Sequence, residues 1–258
     1  MDLGRVLDIV HDMLSAEPII LYLHGSRAYG FPSPDSDYDL RGVFLEADRN
    51  KYFSVFGDLR LEAHIEIFPY DIRLWELKKF ARLIVNLNPV VYEILCLEPL
   101  YVSTRFEDEV HELLRVAKNI YHKYPKERLM IHYFGMLKSW IRYMRKEPKK
   151  SIYHVIRSFL VIAYINRHNK LPPIRLEELL ESTKDQYPDI VDYGYRILGM
   201  ISEGRNINVD RGVVERIRKE AAKIVGGREV AYRVEETEII NNIVSRIMFR
   251  YICGGHDD

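Results

Sequence analysis

Hydrophobic positions change period several times within the first hundred residues. Leu3, Val6, Leu7, Ile9, Val10 and Leu14 recur at helical spacing and predict an amphipathic helix over 3–15. Residues 19–23 form a continuous apolar run of strand length, which predicts a buried strand feeding a glycine-containing loop at 24–30. Pro32, Ser33, Pro34, Asp35 and Ser36 cannot extend a regular element, so a second strand is expected at 38–45. Alternation over 61–73 predicts a third strand, with Pro69 marking an edge or a bulge within it. Helical pattern starts near Leu74 and runs through Leu83 and Ile84. Asn88-Pro89 breaks it before a second short helix at 90–97.

From Arg105 onward strand signals are scarce and helical periodicity dominates. The pattern predicts an α/β (α+β) domain over 1–103 followed by an all-helical domain over 104–258. The clearest helices are expected at 131–146 and 151–166, separated by Pro148, with Leu171-Pro172-Pro173 closing the second. Two more are expected at 211–225 and 234–252. The last carries Ile239, Ile240, Ile243, Val244, Ile247, Met248 and Tyr251 at core-facing spacing, and 254–258 reads as a loose tail.

Composition narrows the class. With 258 residues and 47% hydrophobic content the chain can build a conventional core. No apolar run approaches the ~20 residues that span a bilayer, and the first seventeen residues lack a signal-peptide pattern, so the expected location is the cytoplasm. Cys96 and Cys253 are far apart with no metal-ligand spacing, which argues against a disulfide framework or a zinc site. The net charge of zero hides an asymmetry. Residues 115–175 are rich in Lys and Arg and opposed only by Glu127 and Glu147, a candidate surface for phosphates, although solvated helix faces would have the same composition.

The chemistry is concentrated in His24-Gly25-Ser26-Arg27-Ala28-Tyr29-Gly30 and in Asp35-Ser36-Asp37-Tyr38-Asp39. Side chains alternate along a strand, so Asp37 and Asp39 share a face. Two carboxylates left together repel, and a hard cation such as Mg²⁺ (or Mn²⁺) resolves the conflict while keeping water and substrate phosphates as its other ligands. Gly25-Ser26 directly after a buried strand suits a tight turn holding a triphosphate by backbone N–H groups and the Ser26 hydroxyl. Arg27 could add charge there or pair with a neighbouring acid. A third carboxylate could be Asp71, Glu66 or, further off, Glu62; the local alternation permits more than one.

The combination of a strand, Gly-Ser, and Ser-Asp-x-Asp about ten residues later resembles the signature of DNA polymerase β superfamily nucleotidyltransferases. Asp71-Ile72-Arg73-Leu74-Trp75-Glu76-Leu77-Lys78-Lys79-Phe80, Asn88-Pro89, and the stretch from Lys149-Lys150 through Tyr153, His154 and Arg157 to Pro172-Pro173 and Glu177-Glu178-Leu179-Leu180 are similar to the predicted nucleotidyltransferase family associated with RNA repair. That resemblance implies a polymerase-β-like core, a divalent metal, and transfer of a nucleoside monophosphate from a nucleoside triphosphate. It implies Asp71 as the third metal ligand, which could also serve as a base.

Lys150, Tyr153 and Arg157 are spaced i, i+3, i+7 and share a helix face. By spacing alone they are either a phosphate clamp with a ring for the base or an exposed polar face; the resemblance favours the clamp. His154, Lys78 and Lys79 read as structural or solvated. The acceptor stays open between an RNA end, a protein side chain and a small molecule, and a non-catalytic nucleotide or RNA sensor is the rival outside enzymes. Oligomeric state has no signature in the sequence.

Overall fold

The computed structural model describes residues 1–32, 36–55, 59–124 and 126–254, so Ser33, Pro34 and Asp35 of the expected loop lie outside the described residues. The chain divides into two compact units. The first takes Met1–Gly25, Asp37–Lys123 and Arg233–Asp258, and the second takes Ser26–Ser36 and Tyr124–Tyr232.

The first unit is built on a five-stranded sheet of order β3-β4-β2-β1-β5. The strands are β1 (Ala16–His24), β2 (Tyr38–Glu46), β3 (Glu62–Ile67), β4 (Tyr70–Glu76) and β5 (Tyr101–Val102). Helix α1 (Leu3–Asp8) is capped by the Asp2 side chain and runs on through a π-helical turn at Ile9–Met13. A five-residue helix, α2 (Gly25–Tyr29), follows β1 directly. Then come α3 (Leu77–Val85), α4 (Pro89–Leu95) and α5 (Glu107–Lys123). β2 and β4 run parallel; the other pairings are antiparallel.

The sheet separates its residues by parity. Leu21, Leu40, Phe44, Ala63, Tyr70, Ile72 and Leu74 form a core with Val6, Ile9, Val10 and Leu14 from the helical start of the chain. The amphipathic stripe expected over 3–15 is thus the cover of one sheet face. The opposite parity set faces the other way and carries His24, Asp39, Arg41, Asp71 and Arg73 at one end. Its closure uses α3, where Trp75 stacks on Phe80 at 6.4 Å, and α4, whose Glu93 reaches His24.

Two expectations need correction. Residues 61–73 are not a single strand with a bulge but the antiparallel hairpin β3-β4, turning at Phe68-Pro69. Proline has no N–H for a ladder, and here it closes a turn instead of bending an edge. The Pro69 carbonyl accepts from the Tyr38 N–H at 2.7 Å, which ties the turn to the start of β2. The helix expected near Leu74 begins later, because β4 continues to Glu76. That side chain then accepts from the Lys78 N–H at 2.7 Å and caps α3. Asn88 caps α4 in the same way, and α11 (Thr237–Cys253) packs on α3 and α5. Of the expected tail, 255–258 lie outside the described residues, while the Gly254 carbonyl accepts from Arg49 at 3.2 Å.

The second unit is helical, with α6 (Lys126–Tyr143), α7 (Pro148–His168), α8 (Leu176–Thr183), α9 (Pro188–Ser202) and α10 (Arg211–Val225). α6 and α7 pack along each other, α10 packs on both, and α7 also contacts α8 and α9. Pro148 is admitted in the first turn of α7, where its missing N–H costs nothing, and Asn169 ends that helix in the left-handed region. Among the described residues no helix is long and apolar enough to cross a membrane. Neither cysteine is in a disulfide, and both are exposed.

Candidate active site

Register brings the acidic residues together. Asp39 on β2 and Asp71 on β4 are Cα partners in the parallel pairing. Asp71 in turn faces Glu66 on β3, and Asp39 faces His24 on β1. Four strands therefore present one row on one face: Glu66, Asp71, Asp39, His24. Asp37 immediately precedes β2 with the parity of Asp39 and is exposed.

Of the candidates for a third carboxylate, Asp71 is on the strand next to Asp39. Glu66 is one strand further out, roughly twice the ~4.8 Å strand spacing from β2. Glu62 is engaged by Lys79 at 2.5 Å, so that lysine pairs with an acid instead of standing free in solvent.

Basic groups hold the row in place. Arg41, two residues along the same face, has one guanidinium nitrogen 3.8 Å from Asp39 and 4.0 Å from Asp71. Two carboxylates within 4 Å of a single nitrogen can both reach one cation, and a pair of carboxylates is a hard-oxygen donor set that fits Mg²⁺ or Mn²⁺. On the outer side, Arg73 and His64 bond Asp71 at 3.2 and 3.0 Å, and His64 lies 3.4 Å from Glu66. Burial pushes the Asp71 carboxyl up, but the Arg41 and Arg73 charges and the hydrogen bonds from Arg73 and His64 outweigh it and hold the group below its ordinary range. The ligand atoms of His64, Glu66 and Asp71 lie within 4.8 Å of one another, a second grouping that could hold a metal; Arg73 already supplies a cation there.

On the inner side, His24 and Glu93 form a buried pair at 3.0 Å, with 7% and 1% of their surfaces exposed. It fixes the end of β1 where the chain enters Gly25. Gly25 has φ +67°, and a Cβ built there would lie 2.5 Å from Asp39 Cγ and 2.8 Å from Asp39 Cβ. Glycine is required at 25 because the Asp39 side chain occupies the space a larger residue would fill.

In the second unit the loop after Gly25 is closed on itself. The Phe31 N–H donates to the Ser26 carbonyl at 3.0 Å, and Arg27 donates to the Ser36 carbonyl at 2.8 Å. Tyr29 is buried and stacks with Phe31 and Tyr153, while the Arg157 guanidinium lies 4.2 Å over the Tyr29 ring. Tyr153 and Arg157 are each only 3% exposed. The face whose spacing left a clamp and an exposed polar surface both open is split: Lys150 is in solvent, and Tyr153 and Arg157 pack under the loop. Helical spacing gives which residues share a face but not what covers it. His154 stacks on Trp140 at 4.3 Å.

Sequence reasoning assigned no role to Arg41, Arg73, His64, His24 or Glu93. A signal existed for the first two, since both lie two residues from an aspartate on a strand. Glu93 is 69 residues from His24 and had none.

Comparison with known proteins adds a family. The profile described as the RNA repair pathway DNA polymerase beta family matches residues 12–203. An uncharacterized protein of Bacillus subtilis (strain 168), YcgL, is 31% identical over 159 residues, which is 60% of this chain and 59% of that protein's length. The crystal structure of a nucleotidyltransferase-like protein from Exiguobacterium sibiricum 255-15 aligns over 98% of this chain and 92% of its own, with a TM-score of 0.30 at 8% identity.

Proposed function

We propose, from the premise that this chain belongs to the RNA repair pathway DNA polymerase beta family, that it moves a nucleoside monophosphate from a nucleoside triphosphate to an RNA end. The sheet-bearing unit is the polymerase-β-like nucleotidyltransferase core, and helices make up the rest. The observation that carries the reading is the Asp39–Asp71 register on parallel strands, beside a glycine kept small by Asp39.

Asp37, Asp39 and Asp71 would hold Mg²⁺ or Mn²⁺, which when bound stabilises charge on the attacking and leaving oxygens of an in-line displacement. Gly25 and Ser26 take the triphosphate. The acceptor hydroxyl oxygen bonds to the α-phosphorus, the bond from the α-phosphorus to the oxygen bridging to the β-phosphate breaks, pyrophosphate departs with that oxygen, and the hydroxyl proton passes to Asp71 acting as base. Arg41 keeps Asp39 and Asp71 from repelling each other and so fixes their spacing. Tyr153 and Arg157 act beneath the loop, holding Tyr29 and with it the course of the backbone after Ser26. The reaction belongs in the cytoplasm on this reading.

RNA as acceptor is supported by the end of α6 and the start of α7. Lys138, Arg142, Arg145, Lys146, Lys149 and Lys150 are all exposed, and none is ion-paired with another described residue. An unpaired cationic surface of this kind suits a phosphate backbone.

The test is incubation of the purified protein with each α-labelled nucleoside triphosphate, Mg²⁺ or Mn²⁺, and a mixed small-RNA pool, beside Asp37→Ala/Asp39→Ala. Label entering RNA only with intact carboxylates is the expected result. Label on protein or on a small molecule would replace the acceptor, and nucleotide binding without transfer would replace the enzyme by a sensor.

A further inference from the structure

The Gly30 end of the loop carries a cation that is ion-paired with no acid among the described residues. Arg175 precedes α8, is exposed, and has no ion pair or hydrogen bond from its side chain to any other described residue. Its guanidinium nevertheless has a defined position. A Cβ built on Gly30 would lie 3.2, 3.4 and 3.5 Å from Arg175 Nη2, Cζ and Nε. Three nearly equal distances mean that the planar group lies flat against Gly30. Gly30 itself has φ +88°, a conformation side-chain-bearing residues rarely adopt, so its bare face is a fixed feature of the loop.

A guanidinium lying flat on the glycine keeps its N–H donors in its own plane, clear of the contact and unspent on any described carboxylate. A guanidinium presents five N–H donors in a planar fork that matches phosphate oxygens, and stays charged at any physiological pH. The loop it lies on is short and closed: the Phe31 N–H to Ser26 carbonyl bond brings the Gly30 end back to Ser26. Buried Tyr29 and the Arg157 guanidinium above its ring hold that loop from the other side.

We infer that Arg175 is a phosphate-binding residue, giving charge-assisted hydrogen bonds to a triphosphate held at Ser26, within the same unit. The inference rests on the transferase reading and goes beyond it, since neither the spacing of Lys150, Tyr153 and Arg157 nor the carboxylate row points to this residue. Arg175 then supplies the positive charge that buried Arg157 spends on Tyr29.

The experiment is binding, not turnover: titration of the full chain with α,β-methylene analogues of nucleoside triphosphates in Mg²⁺, and separately with the corresponding monophosphates and nucleosides. Wild type, Arg175→Ala, Arg175→Lys and, as a control, Lys170→Ala, an exposed lysine just after α7, are compared. The expected result is triphosphate affinity reduced about tenfold or more in Arg175→Ala, partly retained in Arg175→Lys, unchanged in Lys170→Ala, with nucleoside affinity and melting temperature unaltered throughout. Equal triphosphate affinity in Arg175→Ala and wild type overturns the inference while leaving the transferase reading intact. An equal loss for triphosphate and nucleoside also overturns it, because it marks a structural role. Wild type that binds no triphosphate at all removes the transferase reading and this inference with it.

Discussion

Replacing Gly25 with alanine tests the site at its tightest point. The backbone there has φ +67°, which costs a residue with a Cβ about 1–2 kcal/mol. The new methyl would sit 2.5 Å from Asp39 Cγ, whereas carbon atoms rest at about 3.5–4.0 Å, so the carboxylate must retreat by on the order of 1 Å. A displacement of that size at a reacting centre can lower the rate by ~10²-fold. Stability changes less, by roughly 2–4 °C of Tm for each kcal/mol in a chain of this size. Gly25→Ala should therefore remain folded and melt several degrees early, and it should lose nucleotide transfer and Mn²⁺ binding out of proportion. Gly135→Ala is the control, because a Cβ there meets nothing within 4 Å and sits inside α6. It should melt at or slightly above the wild-type temperature with full activity. A folded Gly25→Ala protein with native transfer and native Mn²⁺ affinity would refute the placement of Asp39 in the site.

Three further outcomes are expected. Asp71→Asn should bring transfer to background, while Glu66→Gln retains most of it; the reverse ranking in the same assay would move the third ligand to β3. His24→Ala should cost about 1–3 kcal/mol in denaturant unfolding, because it leaves the buried Glu93 carboxylate without its imidazole, and a double-mutant cycle with Glu93→Gln should show strong coupling. Glu76 is fully buried, and burial pushes its carboxyl above the ordinary 4.5. A raised folded-state pKa gives stability that is present below 4.5 and lost as pH rises through the folded value. Melting curves should consequently show Glu76→Gln gaining on wild type between pH 4.5 and 7, and a constant gap would contradict the direction assigned to Glu76.

Much of the site was legible because it is local. Gly25-Ser26 directly after a strand and Asp39 on the next are short-range patterns, with Asp37 immediately before that second strand instead of on it. The third carboxylate was not decided by alternation, which Asp71 and Glu66 both satisfy; what separates them is strand pairing, which sets Asp71 beside Asp39 and Glu66 one strand further out. Arg41 was visible as a same-face neighbour of Asp39, but its closeness to Asp71 depends on strand pairing. Tyr153 and Arg157 share a face as their spacing requires. Their burial depends on Tyr29 and Phe31, more than a hundred residues earlier, and no window of sequence contains both.

The parallel pairing of β2 with β4 also limits how such a chain can change length. Side chains of a strand alternate with a period of two, so removing one residue from β4 would turn Asp71 into the apolar face and Ile72 out of it. Lineages descending from this sequence should accordingly carry odd insertions and deletions in the connections outside the strands. Within β2 and β4, length changes should come in pairs or be absent, a constraint that an alignment of its relatives would expose directly.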